Sequence, residues 1–183
     1  MRMRKVLMSL AVVLLAGCAS ASTSGRPVAY ERQELGAFLN FVGNWDDAKH
    51  PVLYAVIRTP EDYDRIYHPA SVMGADRPYA PKPEFFRESQ ILLVCRSVPE
   101  LSQKKFVTER VEEVGSELTV YYRYSGPTRA PRGNAAMFKQ DFALYVPKKE
   151  YTRVRFIENG ALLGVLELAA GQWTVPPVSP VKK

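Results

Sequence analysis

Two dipeptides, Gly115-Ser116 and Asn159-Gly160, constrain this chain more than any other feature, because each joins two strand-like runs with room for only a tight turn. Lys105–Val114 and Leu118–Tyr124 flank the first, and Tyr151–Ile157 and Ala161–Leu168 flank the second. Leu118, Val120, Tyr122 and Tyr124 alternate with Thr119, Tyr121 and Arg123, the period of a sheet with one buried face. The same alternation turns Thr152, Val154 and Phe156 toward a core and leaves Arg153 and Arg155 outside. With a further run at Phe142–Val146, the second half reads as a meander of four to five antiparallel strands.

Upstream of the meander, Val52–Arg58 is a β-branched and aromatic run that ends at a helix start. Thr59 suits the N-cap, Pro60 the first helical position, and Asp62 completes an approximate capping box. Tyr63, Ile66 and Tyr67 then form one apolar face. Pro69 stops the helix near His68, which is expected to cap its C-terminus. Proline-rich Ala70–Glu88 is a long loop whose Phe85-Phe86 pair should tuck onto the core before the apolar strand Ile91–Cys95. Val28–Asn44 admits a strand with part of a helix, or two strands, and is read as strand; Trp45–Pro51 is turn-rich, with His50 solvated. The fold class is thus α+β, mainly antiparallel β: a strand and short helix followed by a four- to five-stranded meander.

The first residues set the location. Arg2, Arg4 and Lys5 precede an apolar run from Val6 to Leu15, the pattern of a secretory signal, and the run is shorter than the roughly 20 residues a transmembrane helix needs. It ends in Leu15-Ala16-Gly17-Cys18, which resembles the lipobox of bacterial lipoproteins. That resemblance implies a diacylglycerol on Cys18, cleavage before it and an acylated amine, which together anchor a protein stably to a membrane. Residues 1–17 are then the signal peptide, 18–27 the lipidated cysteine with a Ser- and Ala-rich tether, 28–170 one domain, and 171–183 an extended proline-rich tail. Ala19, where an aspartate would imply retention at the inner membrane, implies a lipid anchor in the outer membrane, on its periplasmic side.

Charge and chemistry narrow the function. Without the signal, 22 basic residues face 19 acidic ones, a balance of +3 with no clustered basic helix, so nucleic acid is not an expected partner. If Cys18 carries lipid, Cys95 has no disulfide partner, and its apolar strand makes it a buried hydrophobe rather than a nucleophile. The sequence carries no nucleophile elbow, zincin helix, phosphate loop or zinc spacing, so no catalytic residue, metal or cofactor is assigned. Glu112 and Glu113, adjacent on a strand, face opposite ways, and Asp46 and Asp47 lie in a turn.

Val56-Ile57-Arg58-Thr59-Pro60-Glu61, Phe85-Phe86 with Ile91–Val94, and Leu118-Thr119-Val120 occur in an order that resembles the C-terminal domain of PrcB-type lipoproteins, subunits of bacterial surface protease complexes. The resemblance spans roughly Val52–Ile157; it departs after Phe106, where a glycine-rich turn with a tyrosine is missing, and Gly126-Pro127 matches the family's proline-bearing connection only loosely. It implies a non-catalytic partner or stabiliser of another envelope protein and carries no functional residue across. Two functions stay open: a protein-binding or assembly lipoprotein, and a cell-wall or envelope hydrolase with a dispersed active site. For the first, the candidate docking segment is the long connection 126–140, where Arg129, Arg132 and Lys139 would steer an acidic partner and Met137 and Phe138 supply apolar contact.

Overall fold

The computed structural model describes residues 25–33, 40–43, 45–69, 80–99, 105–127 and 138–168. Its strands are β1 (Arg26–Pro27), β2 (Glu31–Gln33), β3 (Asn40–Val42), β4 (Val52–Ile57), β5 (Tyr67–Pro69), β6 (Ser89–Val98), β7 (Phe106–Val114), β8 (Glu117–Tyr124), β9 (Phe138–Pro147), β10 (Arg153–Glu158) and β11 (Ala161–Glu167). Two helices, α1 (Pro60–Ile66) and α2 (Phe85–Glu88), complete the described chain. The fold is α+β and mainly antiparallel β, with a five-stranded sheet β1-β7-β8-β10-β11, a four-stranded sheet β2-β9-β6-β4 and a small pair β3-β5.

These elements form three layers, and the four-stranded sheet is the middle one. Its even-numbered side chains on β4 and β6 (Val56, Leu92, Val94, Val98) and Phe142, Leu144 and Val146 of β9 pack against Val111, Val120, Val154 and Phe156 of the five-stranded sheet. Its odd-numbered side chains (Leu53, Ala55, Ile57, Ile91, Leu93, Cys95, Ala143) pack against Tyr63 and Ile66 of α1, Tyr67 of β5, Phe86 of α2 and Trp45. A strand covered on both faces cannot alternate apolar with polar residues, which is why Ile91–Cys95 is continuously apolar.

The third layer follows from local chemistry. The Thr59 hydroxyl accepts from the Asp62 amide at 3.3 Å, and the Asp62 carboxylate accepts from the Arg58 amide at 3.2 Å, so the cap is reciprocal but reaches one residue further back than the usual box. Tyr63, Ile66 and Tyr67 are all buried, as their spacing predicts. Phe85 meets Tyr145 at 4.6 Å between centroids and Phe86 is buried, so the aromatic pair docks on the middle sheet. His68 is not the expected cap. The helix ends at Ile66 with Tyr67 in the capping position, and His68 belongs to β5, paired with Phe41 of β3. The segment Val28–Asn44 contributes two separate short strands, β2 on the middle sheet and β3 against β5. Trp45, in a stretch read as turn, is buried, and its indole donates to the His50 carbonyl at 2.8 Å.

The successive strands of the second half are shared between two sheets. The β7-β8 and β10-β11 hairpins lie side by side in one sheet, while β9 crosses to the middle sheet to pair with β6 along its whole length. Because β9 acts as the crossover, β8 and β10 run parallel, a pairing that no hairpin can produce. Strand β9 begins at Phe138, so Phe138, Lys139 and Gln140 are strand rather than loop. Strand β10 begins at Arg153, and Thr152 is exposed, not core-facing: its hydroxyl lies 2.9 Å from that of Ser116.

Both turns match their residues. Gly115 has φ +60° at the first central position, the II′ pattern, while Asn159 (φ 51°) and Gly160 (φ 82°) are both left-handed, the I′ pattern. Asn159 also extends the parallel ladder: its side-chain amide donates to the Tyr124 carbonyl at 2.9 Å and accepts from the Tyr124 amide at 3.2 Å, as a backbone unit would. Asn159→Gly keeps the turn and loses these bonds, so it should cost about 1 to 2 kcal/mol in urea unfolding. Asn159→Ala should cost about 1 kcal/mol more, for the left-handed backbone. An unaltered midpoint for Asn159→Gly would contradict the bridging role.

Candidate functional site

Three clusters of polar side chains stand out among the described residues, and each is built by a strand register. Between the two large sheets, Arg96 occupies the β6 face that carries Leu92 and Val94, and Glu158 ends the β10 face that carries Val154 and Phe156. The two form an ion pair with each residue only 6% exposed. The Arg96 guanidinium also lies 4.5 Å from the centre of the Tyr124 ring, and the Tyr122 hydroxyl bonds Glu158 and sits 3.3 Å from the Tyr54 hydroxyl. Burial, and then the neighbouring phenol and carboxylate, push the Tyr122 hydroxyl far above its usual range. Arg96 Nε has no hydrogen-bond partner among the described residues, so the salt bridge is only partly compensated there.

On the other face of the middle sheet, Cys95 lies opposite Asp141 in the β6-β9 register, and the Tyr67 hydroxyl donates to the Asp141 carboxylate. Burial raises the Cys95 thiol well above its ordinary value, and Asp141 raises it further. A buried, protonated thiol is a packing group, as its apolar strand predicts. Tyr67 is raised by the same two influences in the same order. Nearer the surface, the Lys139 ammonium donates to the carbonyls of Val42 (3.3 Å) and Trp45 (3.5 Å) and lies 5.3 Å from the Trp45 ring centre. The Ser97 hydroxyl donates to Asp47 at 2.8 Å, so this carboxylate anchors the turn onto β6.

The third cluster fastens the N-terminal segment. Glu113 on β7 receives Arg26, the Lys149 ammonium at 3.1 Å and the Tyr151 hydroxyl at 3.0 Å. Hydrogen bonding from Arg26 leads the causes that hold its carboxyl down at about 2, with burial opposing. Glu112 points the other way, to Arg110 at 2.9 Å, which separates the adjacent carboxylates as a strand requires. Asp46 is paired with Lys49 at 3.0 Å. All three clusters join one layer or segment to another.

Of the residues assigned a role in the sequence, Cys18, Arg129, Arg132 and Met137 lie outside the described residues. Phe138 is 43% exposed at the start of β9, whereas Lys139, one position on, turns its charge onto the Val42 and Trp45 carbonyls. The structure therefore does not bring Phe138 and Lys139 to one surface. The surface that sequence reasoning missed is β11. Leu162 (54%), Leu163 (50%) and Val165 (43%) are exposed on a strand at the end of the five-stranded sheet. Its signal was present: Ala161–Leu166 has no charge and no polar alternation, unlike β8 and β10. Gly164 lets this strand approach the middle sheet, since a Cβ there would lie 2.6 Å from the Tyr54 ring. A register shift between Phe156 and Ile157 leaves Leu163 unopposed by β10.

The buried ion pair sets a stability test. Arg96→Ala strands Glu158 between the sheets and should cost about 3 to 5 kcal/mol, whereas Arg96→Met with Glu158→Leu should recover most of that loss in guanidinium melts. A double variant no more stable than Arg96→Ala would contradict the assignment of the cost to the lone carboxylate. Comparisons of the chain with protein-family models, with curated proteins and with solved structures find no match.

Proposed function

We propose that this protein is a lipid-anchored lipoprotein of the bacterial envelope whose domain binds another protein, as an assembly or stabilising subunit without catalysis of its own. The observation that carries the reading is the β11 edge: a strand with no charge over Ala161–Leu166 and three exposed apolar side chains, hydrogen-bonded to β10 along one side. Folded proteins usually blunt such edges with charges, prolines or covering segments, because an unpaired edge templates another strand. Here the opposite edge of the sheet is covered, with β1 paired to β7 and the Val28 amide bonded to the Val111 carbonyl at 2.9 Å. An extended partner segment adding to β11 would gain main-chain hydrogen bonds and cover Leu162 and Val165 with alternate side chains.

The anchor favours this geometry. The tether from Cys18 enters the fold at Gly25, beside β1, and β11 is four strand spacings away across the sheet, about 19 Å. A partner reaching β11 need not compete with the lipid surface that holds β1. Exposed Phe138, which follows Arg129, Arg132 and Met137 in sequence, supports a second contact along that connection.

A photo-crosslinking residue at position 163 in the native envelope should give one discrete adduct, and the same residue at Val107, exposed at the opposite side of the sheet, should not. Cys18→Ser should in parallel move the protein from the membrane pellet to the soluble fraction. No adduct, or the same adducts from both positions, would contradict docking at β11, and continued sedimentation of Cys18→Ser would contradict the anchor.

A further inference from the structure

The first described residues, Gly25–Gln33, cross from one large sheet to the other. Arg26 and Pro27 of β1 lie opposite Glu113 and Glu112 on the edge of β7, and Glu31, Arg32 and Gln33 of β2 lie opposite Tyr145, Leu144 and Ala143 on the edge of β9. Between the two strands the Val28 amide donates to the Val111 carbonyl at 2.9 Å, and the Val28 side chain packs against the core between the sheets. We propose that this segment is a detachable strap, which leaves both sheet edges as one piece while the rest of the fold stays closed and so lengthens the tether that precedes it.

The contacts divide in a way that permits release. The two strands have two and three residues and sit at the ends of their sheets, so removing them breaks no pairing between the longer strands. Strand β7 keeps β8, and β9 keeps β6 along its whole length. The strap's apolar contribution to the core is Val28, which is partly buried, while Tyr30 is exposed. Short edge segments with few buried apolar contacts are the parts of a fold that open locally, far below the free energy of global unfolding.

The charges point the same way. Arg26, with its side chain 75% exposed, pairs with Glu113, whose side chain is 5% exposed. A buried carboxylate resists losing a partner when the loss leaves it uncompensated. Here it stays compensated: after Arg26 departs, Glu113 still accepts from Lys149 at 3.1 Å and from the Tyr151 hydroxyl at 3.0 Å, both outside the strap. Glu112, the other carboxylate beside β1, is paired with Arg110 of its own strand. On the β2 side, Arg32 donates to the Phe106 carbonyl at 2.7 Å and faces the Phe142 ring, neutral groups that its departure leaves without a charge to compensate.

Release uncovers the β7 and β9 edges that β1 and β2 occupy, and it changes the reach of the domain. With the strap docked, eight residues of chain lead from Cys18 to Arg26, at most about 27 Å. Released through Gln33, the free chain doubles to sixteen residues, about 54 Å. That this lengthens a membrane tether rests on the proposed lipid at Cys18; the release of the strap does not.

Hydrogen exchange of the full chain with Cys18→Ser tests the release. The Val28 amide and the β2 amides bonded to β9 should open together, at least about 100-fold more often than the amides of Ile91–Cys95, while the β7-β8 and β6-β9 ladders keep their protection. Arg26→Ala should raise that opening about three- to tenfold and leave β6 unchanged. Gly25→Ala should raise it too without touching a charge, since a Cβ there would lie 2.8 Å from the Glu112 Cβ. Strap amides that exchange only with those of β6, or separate opening of Val28 and β2, would overturn the proposal. Pulled between the Cys18 thiol and a C-terminal peptide tag, the unlipidated chain with Cys95→Ala should lengthen reversibly by about eight residues before it unfolds, and at lower force with Arg26→Ala. A first lengthening that coincides with unfolding would also overturn it. Continued sedimentation of Cys18→Ser would remove the membrane from the account and leave the release standing.

Discussion

The structure depends on burying both faces of one strand. Ile91, Leu92, Leu93, Val94 and Cys95 of β6 have no measurable exposure, so the sheet that contains them must be covered on two sides. One cover is the five-stranded sheet, the other α1, α2 and the β3-β5 pair. At about 1.5 to 3 kcal/mol for each large aliphatic side chain removed from water, leaving either face of β6 open would forfeit stability comparable with that of a whole small domain. The short helices and the two-residue and three-residue strands are explained by this demand, since none would persist alone in water.

Burial alone would not fix how the layers sit on one another. The polar contacts between them do that, because each is satisfied in one alignment: Arg96 with Glu158 between the sheets, Tyr67 with Asp141 under α1, and Glu113 with Arg26, Lys149 and Tyr151 at the β1 side. A slip of β10 by one residue would turn Glu158 to the outer face and leave Arg96 uncompensated among aromatic rings. The same contacts consume the ionisable groups that a sequence search singles out as candidates for chemistry. Burial holds Cys95 protonated, and the bonds from Arg26, Lys149 and Tyr151 hold Glu113 ionised.

Local patterns were legible and long-range pairing was not. The Thr59-Pro60 helix start, the two glycine turns, the alternation of Leu118–Tyr124 and the burial of Cys95 all rest on interactions within a few residues, or on one face of one strand, and they stand in the structure. The switch of β9 to the middle sheet leaves no mark in its own sequence, because Phe142–Val146 reads as a buried strand in either sheet. His68 was misplaced because Pro69 marks the end of a helix equally well at two positions, and the pairing with β3 chose the earlier one. Arg96 and Glu158 are far apart in sequence, and only the three-dimensional stacking of the sheets brings them together. The β11 edge was visible as composition, but not as a surface until its position at the end of the sheet was known.

The middle sheet is sealed on both faces, whereas β11 has a strand neighbour on one side only among the described residues. Native-state hydrogen exchange of the full chain tests this contrast directly, since amides report the free energy at which each strand opens. The account predicts that amides of Ile91–Cys95 exchange only with global unfolding, at the free energy found in denaturant melts, and that amides of Leu162–Val165 exchange through a local opening of much lower free energy. Equal protection of β6 and β11, or local opening of β6 below the global value, would contradict it.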